Sequence, residues 1–111
     1  MSIKKNIYKA LLIILFAFVS SVEAANRYWV AVNDGTDKMW HDNANWSTSS
    51  GGSGGASVPT SKTVEAIFDG NSTVDVKLGA DVNKIKKLRV KNGYSGTINL
   101  NGYHLASQKG P

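Results

Sequence analysis

Turn-forming glycines divide the second half of the chain into segments that are too short for a stable α-helix. Within residues 74–78, apolar side chains alternate with Asp75 and Lys77, and similar short segments continue to Ala106. Pairs such as Asn92-Gly93 separate these segments about every ten residues. Because successive side chains of a strand point to opposite faces, the alternation predicts half-buried β-strands. The chain is therefore expected to be all-β.

Two further strands are predicted in the first half, at 27–32 and 63–68, from their aromatic and β-branched residues. The segments 89–94 and 99–103 each contain an apolar residue, an Asn-Gly pair and a tyrosine, which indicates a degenerate repeat of about ten residues. Asn-Gly turns favour antiparallel hairpins, and hence a small β-meander or sandwich. Repeated strands and turns also build a parallel β-solenoid. Spacing leaves both arrangements open.

The N-terminus has the three parts of a secretory signal peptide. Lysines precede an uninterrupted apolar run at 10–19, and small residues follow it. A helix of about ten residues spans about 15 Å, half of a bilayer core, so the run is short for a membrane span. Val22 and Ala24 occupy the small-residue positions before the scissile bond, so we predict cleavage after Ala24, with Ala25 as the alternative. Residues 1–24 are expected to form a signal-peptide helix.

Composition excludes several kinds of site. The chain has 111 residues and no cysteine, which excludes disulfides, thiolate metal ligands and cysteine nucleophiles. Removal of residues 1–24 takes away three lysines and Glu23, so the net charge falls from +5 to +3. The remaining positive charge is concentrated at 84–91, where basic and apolar residues alternate. We interpret this cluster as the solvated face of a strand, with contact to an anionic polymer, such as lipopolysaccharide or an acidic glycan, as the alternative. Nucleic-acid binding is not expected, because stacking aromatics do not accompany the charge.

Tryptophans flank a polar segment in the first half, and a Gly/Ser-rich loop follows. Trp40 and Trp46 enclose residues 41–45, which are predicted to form a loop or a single helical turn. Residues 47–57 offer no side chain to anchor them and are predicted to be a flexible loop. His41-Asp42 is the one neighbouring pair that suggests acid–base chemistry, and we interpret it as turn polarity. No catalytic residue, metal site or cofactor is predicted, because no calcium loop, phosphate cradle or nucleophile motif is present.

These elements, in this order, resemble the N-terminal segment of bacterial secreted or surface proteins with β-helical repeats, including adhesin-like and autotransporter-passenger-like proteins. The segments that carry the resemblance are Arg27-Tyr28-Trp29-Val30, Trp40–Ser47, Val58-Pro59-Thr60, Ala66-Ile67-Phe68-Asp69 and Tyr94–Tyr103. Asp37-Lys38-Met39 departs from the family pattern, which has small residues and Gly-Asn there. The resemblance implies the N-terminal cap and first coils of a right-handed parallel β-helix. It also implies much longer relatives, so the chain is expected to be a fragment or a truncated product.

The expected organisation is a signal peptide at 1–24, a tryptophan-rich β cap at 25–70 and short β-strand repeats at 71–111 that begin a solenoid. The expected function is non-catalytic: an exported segment, secreted or on the bacterial cell surface, with an adhesion or scaffold role. The alternatives are a remnant of a β-helical polysaccharide-degrading enzyme and a small glycan-binding module.

Four aromatic side chains are candidates for stacking on a glycan, although core packing is the competing interpretation for the tryptophans. These candidates are Trp40, Trp46, Tyr94 and Tyr103. The expected partners are a glycan or another host or cell-surface polymer, and contact with a membrane is expected only transiently, through the signal peptide. An open solenoid edge also predicts self-association.

Overall fold

The computed structural model describes residues 25–108, and this range is all-β, as predicted. The strands are β1 (Ala25–Trp29), β2 (Trp46–Ser47), β3 (Val64–Phe68), β4 (Val76–Lys77), β5 (Val82–Ile85), β6 (Lys87–Val90), β7 (Ile98–Asn99) and β8 (Leu105–Ser107). The one helix of this range is a 3₁₀ helix at Asn43–Asn45, within the segment where a loop or a helical turn is predicted. The predicted signal peptide at 1–24 lies outside the described residues.

The strands after residue 63 form two successive triplets. The first triplet is β3, β4 and β5, and the second triplet is β6, β7 and β8. Each strand of the second triplet pairs in parallel with the strand at the same place in the first, in three separate sheets: β3 with β6, β4 with β7 and β5 with β8. The chain therefore passes through the three sheets twice, in the same order.

The offset between paired residues is nearly constant. Glu65 pairs with Lys87, and Val76 pairs with Ile98, so both offsets are 22 residues. The pairing of β5 with β8 keeps this offset to within one residue, across a local irregularity. The offset at which strands pair is therefore about twice the predicted sequence repeat of about ten residues. That spacing separates neighbouring strands of one triplet, whereas residues that pair are a whole triplet apart.

The Asn-Gly turns do not close antiparallel hairpins. Asn92-Gly93 follows β6, but the next strand, β7, belongs to another sheet. Asn101-Gly102 connects β7 to β8 in the same manner, with both residues in the left-handed region at φ 52° and 84°. These turns redirect the chain from one sheet to the next. The alternative of an antiparallel meander is therefore not what the described strands form, since their antiparallel pair is β1 with β2.

β1 and β2 are the two strands that precede β3 in the four-stranded sheet, whose order is β2-β1-β3-β6. β1 pairs in parallel with β3, and Ala25 pairs with Val64. This offset is larger than 22 residues because the 3₁₀ helix and the Gly/Ser-rich loop lie between the two strands. β1 ends at Trp29 rather than at the predicted residue 32. The amide of Val30 donates to Asn45 O at 2.8 Å, in the 3₁₀ helix that precedes β2.

The Gly/Ser-rich loop at 47–57 is anchored, which corrects the prediction that nothing holds it. The amide of Gly55 donates to Asn43 O at 2.9 Å. The hydroxyl of Ser50 donates to Asp69 Oδ2 at 2.6 Å, which joins the loop to the turn after β3. The loop has no long side chain to hold it, and hydrogen bonds from backbone amides and serine hydroxyls hold it instead.

Two further contacts fix the end of this loop. A Cβ atom added to Gly54 would overlap the backbone oxygen of Ala44, so the close approach of loop and 3₁₀ helix requires glycine there. The guanidinium of Arg27 donates through Nη2 to Ser57 Oγ at 2.7 Å. Arg27 lies on β1, so the loop is connected to β1 as well as to the 3₁₀ helix.

The two triplets differ in burial. Phe68 of β3 is fully buried, whereas Val90, which pairs with it on β6, is 54% exposed. Leu78 is likewise buried, whereas Leu100, at the same place one triplet later, is 44% exposed. The first triplet is covered on one side by β1 and on the other by the second triplet, but no described residue covers the second triplet. We call the uncovered strands β6, β7 and β8, with Val90 and Leu100, the open edge.

Candidate functional site

Three tryptophans and Phe68 form a closed aromatic cluster at the covered end. Trp29, Trp40, Trp46 and Phe68 have no exposed surface. The ring centroids of Trp29 and Trp46 are 5.1 Å apart, and those of Trp40 and Trp46 are 5.0 Å apart, both edge to face. Phe68 lies 5.5 to 5.8 Å from all three indoles. Edge-to-face aromatic pairs each contribute about 1 kcal/mol beyond the burial of their area.

Each buried indole N–H donates to a backbone carbonyl of a different segment. Trp29 Nε1 donates to Val74 O at 2.9 Å, and Trp40 Nε1 donates to Pro59 O at 3.1 Å. Trp46 Nε1 donates to Trp40 O at 2.7 Å. Trp40 and Trp46, two of the predicted stacking residues, therefore have neither an exposed ring face nor a free donor. The structure places both tryptophans in the core, so it agrees with core packing rather than with glycan stacking for these two residues.

Tyr94 joins the second triplet to the aromatic cluster. Its hydroxyl donates to Val74 O at 2.9 Å, and its ring lies 5.1 Å from that of Phe68. Burial and the negative charge of Asp75 both disfavour the phenolate, which raises the pKa of Tyr94 to about 12. A Cβ on Gly96 would lie 2.6 Å from Thr73 O, so the loop must have glycine there to let the tyrosine reach inward. The hydroxyl and the ring of Tyr94 are thus both in contact with the protein interior.

Tyr103 is the one predicted stacking residue with substantial exposure, at 40%. Its amide donates to Leu100 O at 2.9 Å, so the residue closes the turn between β7 and β8. No aromatic contact within residues 25–108 joins it to the other three candidates. The structure therefore does not bring the four predicted residues together as one stacking surface.

The turn acids bond to backbone amides. Asp42 caps the 3₁₀ helix, where its Oδ1 accepts the amide of Ala44 at 3.0 Å, and neighbouring His41 is exposed. Asp81 Oδ1 accepts the amide of His104 at 2.8 Å, which connects the two triplets at a corner. In the described part of the chain, no group of three or more acidic or histidine side chains could hold a metal ion. No helix between residues 25 and 108 is long and apolar enough to cross a bilayer.

A polar groove of about 700 Å³ lies between the segment 33–38 and strands β4 and β7. Its two lysines are paired: Lys38 Nζ lies 2.7 Å from Asp34 Oδ2, and Lys77 Nζ lies 3.3 Å from Asp37 Oδ2. The hydrogen bond from Lys38, with others from Thr36, holds the pKa of the Asp34 carboxyl well below its usual range. Sequence reasoning did not anticipate this groove, because it forms only where residues 38 and 39 lie beside β4.

Basic side chains follow one another along β5 and β6. We call this surface the basic strip, and its members are Lys84, Lys86, Lys87, Arg89 and Lys91. Arg89 Nε lies 3.3 Å from Glu65 Oε1, and this is the one ion pair within residues 25–108 that includes a member of the strip. The intervening Ile85 is buried and Leu88 is half-buried. The predicted alternation of solvated and buried residues therefore holds at Ile85 and in part at Leu88, but not at Val90, which is 54% exposed.

Comparisons of the chain with models of protein families, with curated proteins and with solved structures found no match. The function is therefore inferred from the geometry described above.

Replacement of Tyr94 by Phe should lower the stability at neutral pH and reduce its loss in alkali. The variant loses the hydrogen bond to Val74 O, worth about 1 kcal/mol. In the native protein the pKa of Tyr94 is raised to about 12 from an ordinary value of about 10, so its contribution is complete below about pH 10 and is lost as the pH rises towards 12. Urea unfolding from pH 7 to 12 measures both effects.

Tyr103→Phe is the matched control, because that ring is exposed, and it should change the stability at pH 7 by less than about 0.5 kcal/mol. Parallel alkaline losses in the native protein and Tyr94→Phe would contradict this role of Tyr94.

Proposed function

We propose that the chain is the N-terminal cap and the first two coils of an exported, non-catalytic right-handed parallel β-helix, with an adhesion or scaffold role at a bacterial surface. The observation that carries this proposal is the pairing of the two triplets. Every strand of the second triplet pairs in parallel with its counterpart, at an offset of 22 residues to within one. In this proposal each triplet is one coil, and its three strands belong to the three faces of the solenoid.

The aromatic cluster supports the assignment of a cap. The terminal coil of a solenoid presents apolar surface and unpaired backbone groups, which another element must cover. Trp29, Trp40 and Trp46 lie fully buried on the N-terminal side of the first triplet. The antiparallel strand β2 occupies the edge of the sheet on that side, where a further parallel strand would otherwise pair. One end of the stack is thus closed while the open edge is not.

The carboxylates of the groove favour a structural role over a catalytic one. Asp34 and Asp37 form ion pairs with lysines of the same groove, and Asp75 accepts the amide of Thr97 at 2.8 Å. These contacts shape turns and join the two triplets. The alternatives of a polysaccharide-degrading remnant and a free-standing glycan-binding module stay predictions.

The structure at the start of β1 bears on the proposed cleavage site. The amide of Ala25 donates to Thr63 O at 3.1 Å, and Ala25 pairs with Val64. Cleavage after Ala24 would keep this first pair of the sheet, whereas cleavage after Ala25 would remove it. The contacts of Ala25 therefore favour cleavage after Ala24.

Expression of the full chain with a C-terminal epitope in a Gram-negative host tests export. We expect the epitope outside the cytoplasm on a product that begins with Ala25, as measured by cell fractionation and mass spectrometry. Ala24→Asp should block processing, because a small residue is needed immediately before the scissile bond. Ala25→Asp is the matched control and should still be processed. An unprocessed cytoplasmic product from the native sequence would contradict the proposed export.

The open edge predicts self-association of the purified chain. Unpaired strand edges and exposed apolar side chains favour pairing with a second copy. Val90→Lys should shift the association to higher protein concentration, because Val90 lies on β6 and is 54% exposed. Val32→Lys is the control, since Val32 is also exposed, at 74%, but lies outside the open edge. Sedimentation velocity over a range of concentrations measures both, and a native chain that stays monomeric throughout would contradict the prediction.

A further inference from the structure

The basic strip carries charges that the protein itself leaves largely unneutralised. Lys84, Lys86, Lys87 and Lys91 form no ion pair with any residue in the range 25–108. Outside the strip, Lys38 and Lys77 are each paired with an aspartate, whereas Lys62, which precedes β3, stands alone and forms no ion pair within residues 25–108. Exposed cations close together repel one another, and this repulsion favours binding of an anion that covers several of them.

The acids around the strip neutralise little of its charge. Glu65 is partly shielded from solvent and pairs with Arg89. Asp69 lies one residue beyond the Phe68–Val90 pair, level with Lys91, but its two oxygens accept hydrogen bonds from Ser50 and Asn71. Asp81 precedes β5 and accepts the amide of His104. β6 and β8, which adjoin the strip, contain no acidic residue.

The strip follows a corner of the structure. Lys84 lies on β5 and Lys87 and Arg89 lie on β6, and these strands belong to different sheets that the chain joins through a bend at Lys86. Lys87 and Arg89 lie on the same face of β6, because they are two residues apart, and that face is opposite to the one that bears Val90. Cations that follow one another around a corner can be contacted together by an extended polyanion better than by a compact ligand.

We propose that the basic strip binds an acidic polysaccharide along the β5–β6 corner, and that the carboxylates of the polymer contact the lysines of the strip. This inference rests on the proposed export, which brings the chain into contact with such polymers. Ile85 and Leu88 are turned into the protein, and Val90, although 54% exposed, lies on the face of β6 opposite to Lys87 and Arg89. The face that bears these two cations therefore offers no aromatic ring for stacking on bases and no apolar side chain for insertion into a bilayer. The observations therefore favour a polysaccharide over a nucleic acid or a membrane.

The test is titration of the full-length chain with polygalacturonate, a linear polymer of carboxylated sugars, and with neutral dextran. We expect binding to polygalacturonate that weakens as salt rises, and no binding to dextran. The double variant Lys84→Gln/Lys87→Gln should bind about tenfold more weakly. The double variant Lys38→Gln/Lys77→Gln removes the same charge from the groove and should bind within about twofold of the native chain. Thermal unfolding establishes that both variants are folded.

Equal weakening in the two double variants would overturn the proposal, because net charge alone would then explain binding. Equally tight binding to vesicles of an anionic phospholipid or to duplex DNA, with the same dependence on Lys84 and Lys87, would overturn the assignment to polysaccharide. The two proposals can fail separately. If the chain is exported and processed but does not bind polygalacturonate, only this inference is contradicted. If the chain binds polygalacturonate but is not exported, only the proposed function is contradicted.

Discussion

The hydrogen-bonding requirement of three buried indoles constrains the whole covered end of the structure. A buried N–H without a partner costs about 1 to 3 kcal/mol, so each tryptophan must lie where a carbonyl is available. Trp29 bonds to the segment before β4, Trp40 to the end of the Gly/Ser-rich loop and Trp46 to Trp40 itself. The carbonyl of Val74 also accepts the hydroxyl of Tyr94, which belongs to the second triplet. Five segments of the chain, around residues 29, 40–46, 59, 74 and 94, therefore converge on one aromatic cluster. No buried side-chain donor or acceptor in the described range lacks a partner.

This convergence gives the structure two unlike ends. At the closed end, the apolar residues of the first triplet are buried except for Val64, which is half-buried. At the open edge, residues in the same register as buried ones are exposed, as Phe68 and Val90 illustrate. A proposed β-helical cap requires this asymmetry, because it must end the stack on one side and receive the next coil on the other. The basic strip lies on β5 and β6, so a ligand bound there would contact both triplets.

The sequence predicts the strands but not how they pair. Alternation at 74–78 and the β-branched residues at 63–68 predict β4 and β3 correctly, since those signals are local. The 22-residue offset was missed because paired positions share only apolar character, as in Val76 with Ile98, and the more visible Asn-Gly pairs suggest hairpins. The anchoring of the Gly/Ser-rich loop was missed for a related reason. Its bonds use backbone amides and hydroxyls whose partners, such as Asn43 and Asp69, are fixed only by the fold. The burial of Trp40 and Trp46 likewise depends on which distant segments form the aromatic cluster.

Engineered disulfides test the parallel stacking of the triplets most directly, because the chain has no cysteine of its own. Lys77 and Asn99 are paired residues of neighbouring strands, which places them about 5 Å apart and within reach of a disulfide. An antiparallel hairpin through Asn92-Gly93 would instead place Lys86 opposite Asn99. After mild oxidation, peptide mass spectrometry should find the disulfide in Lys77→Cys/Asn99→Cys and not in Lys86→Cys/Asn99→Cys. A disulfide in the second variant, with none in the first, would contradict the account.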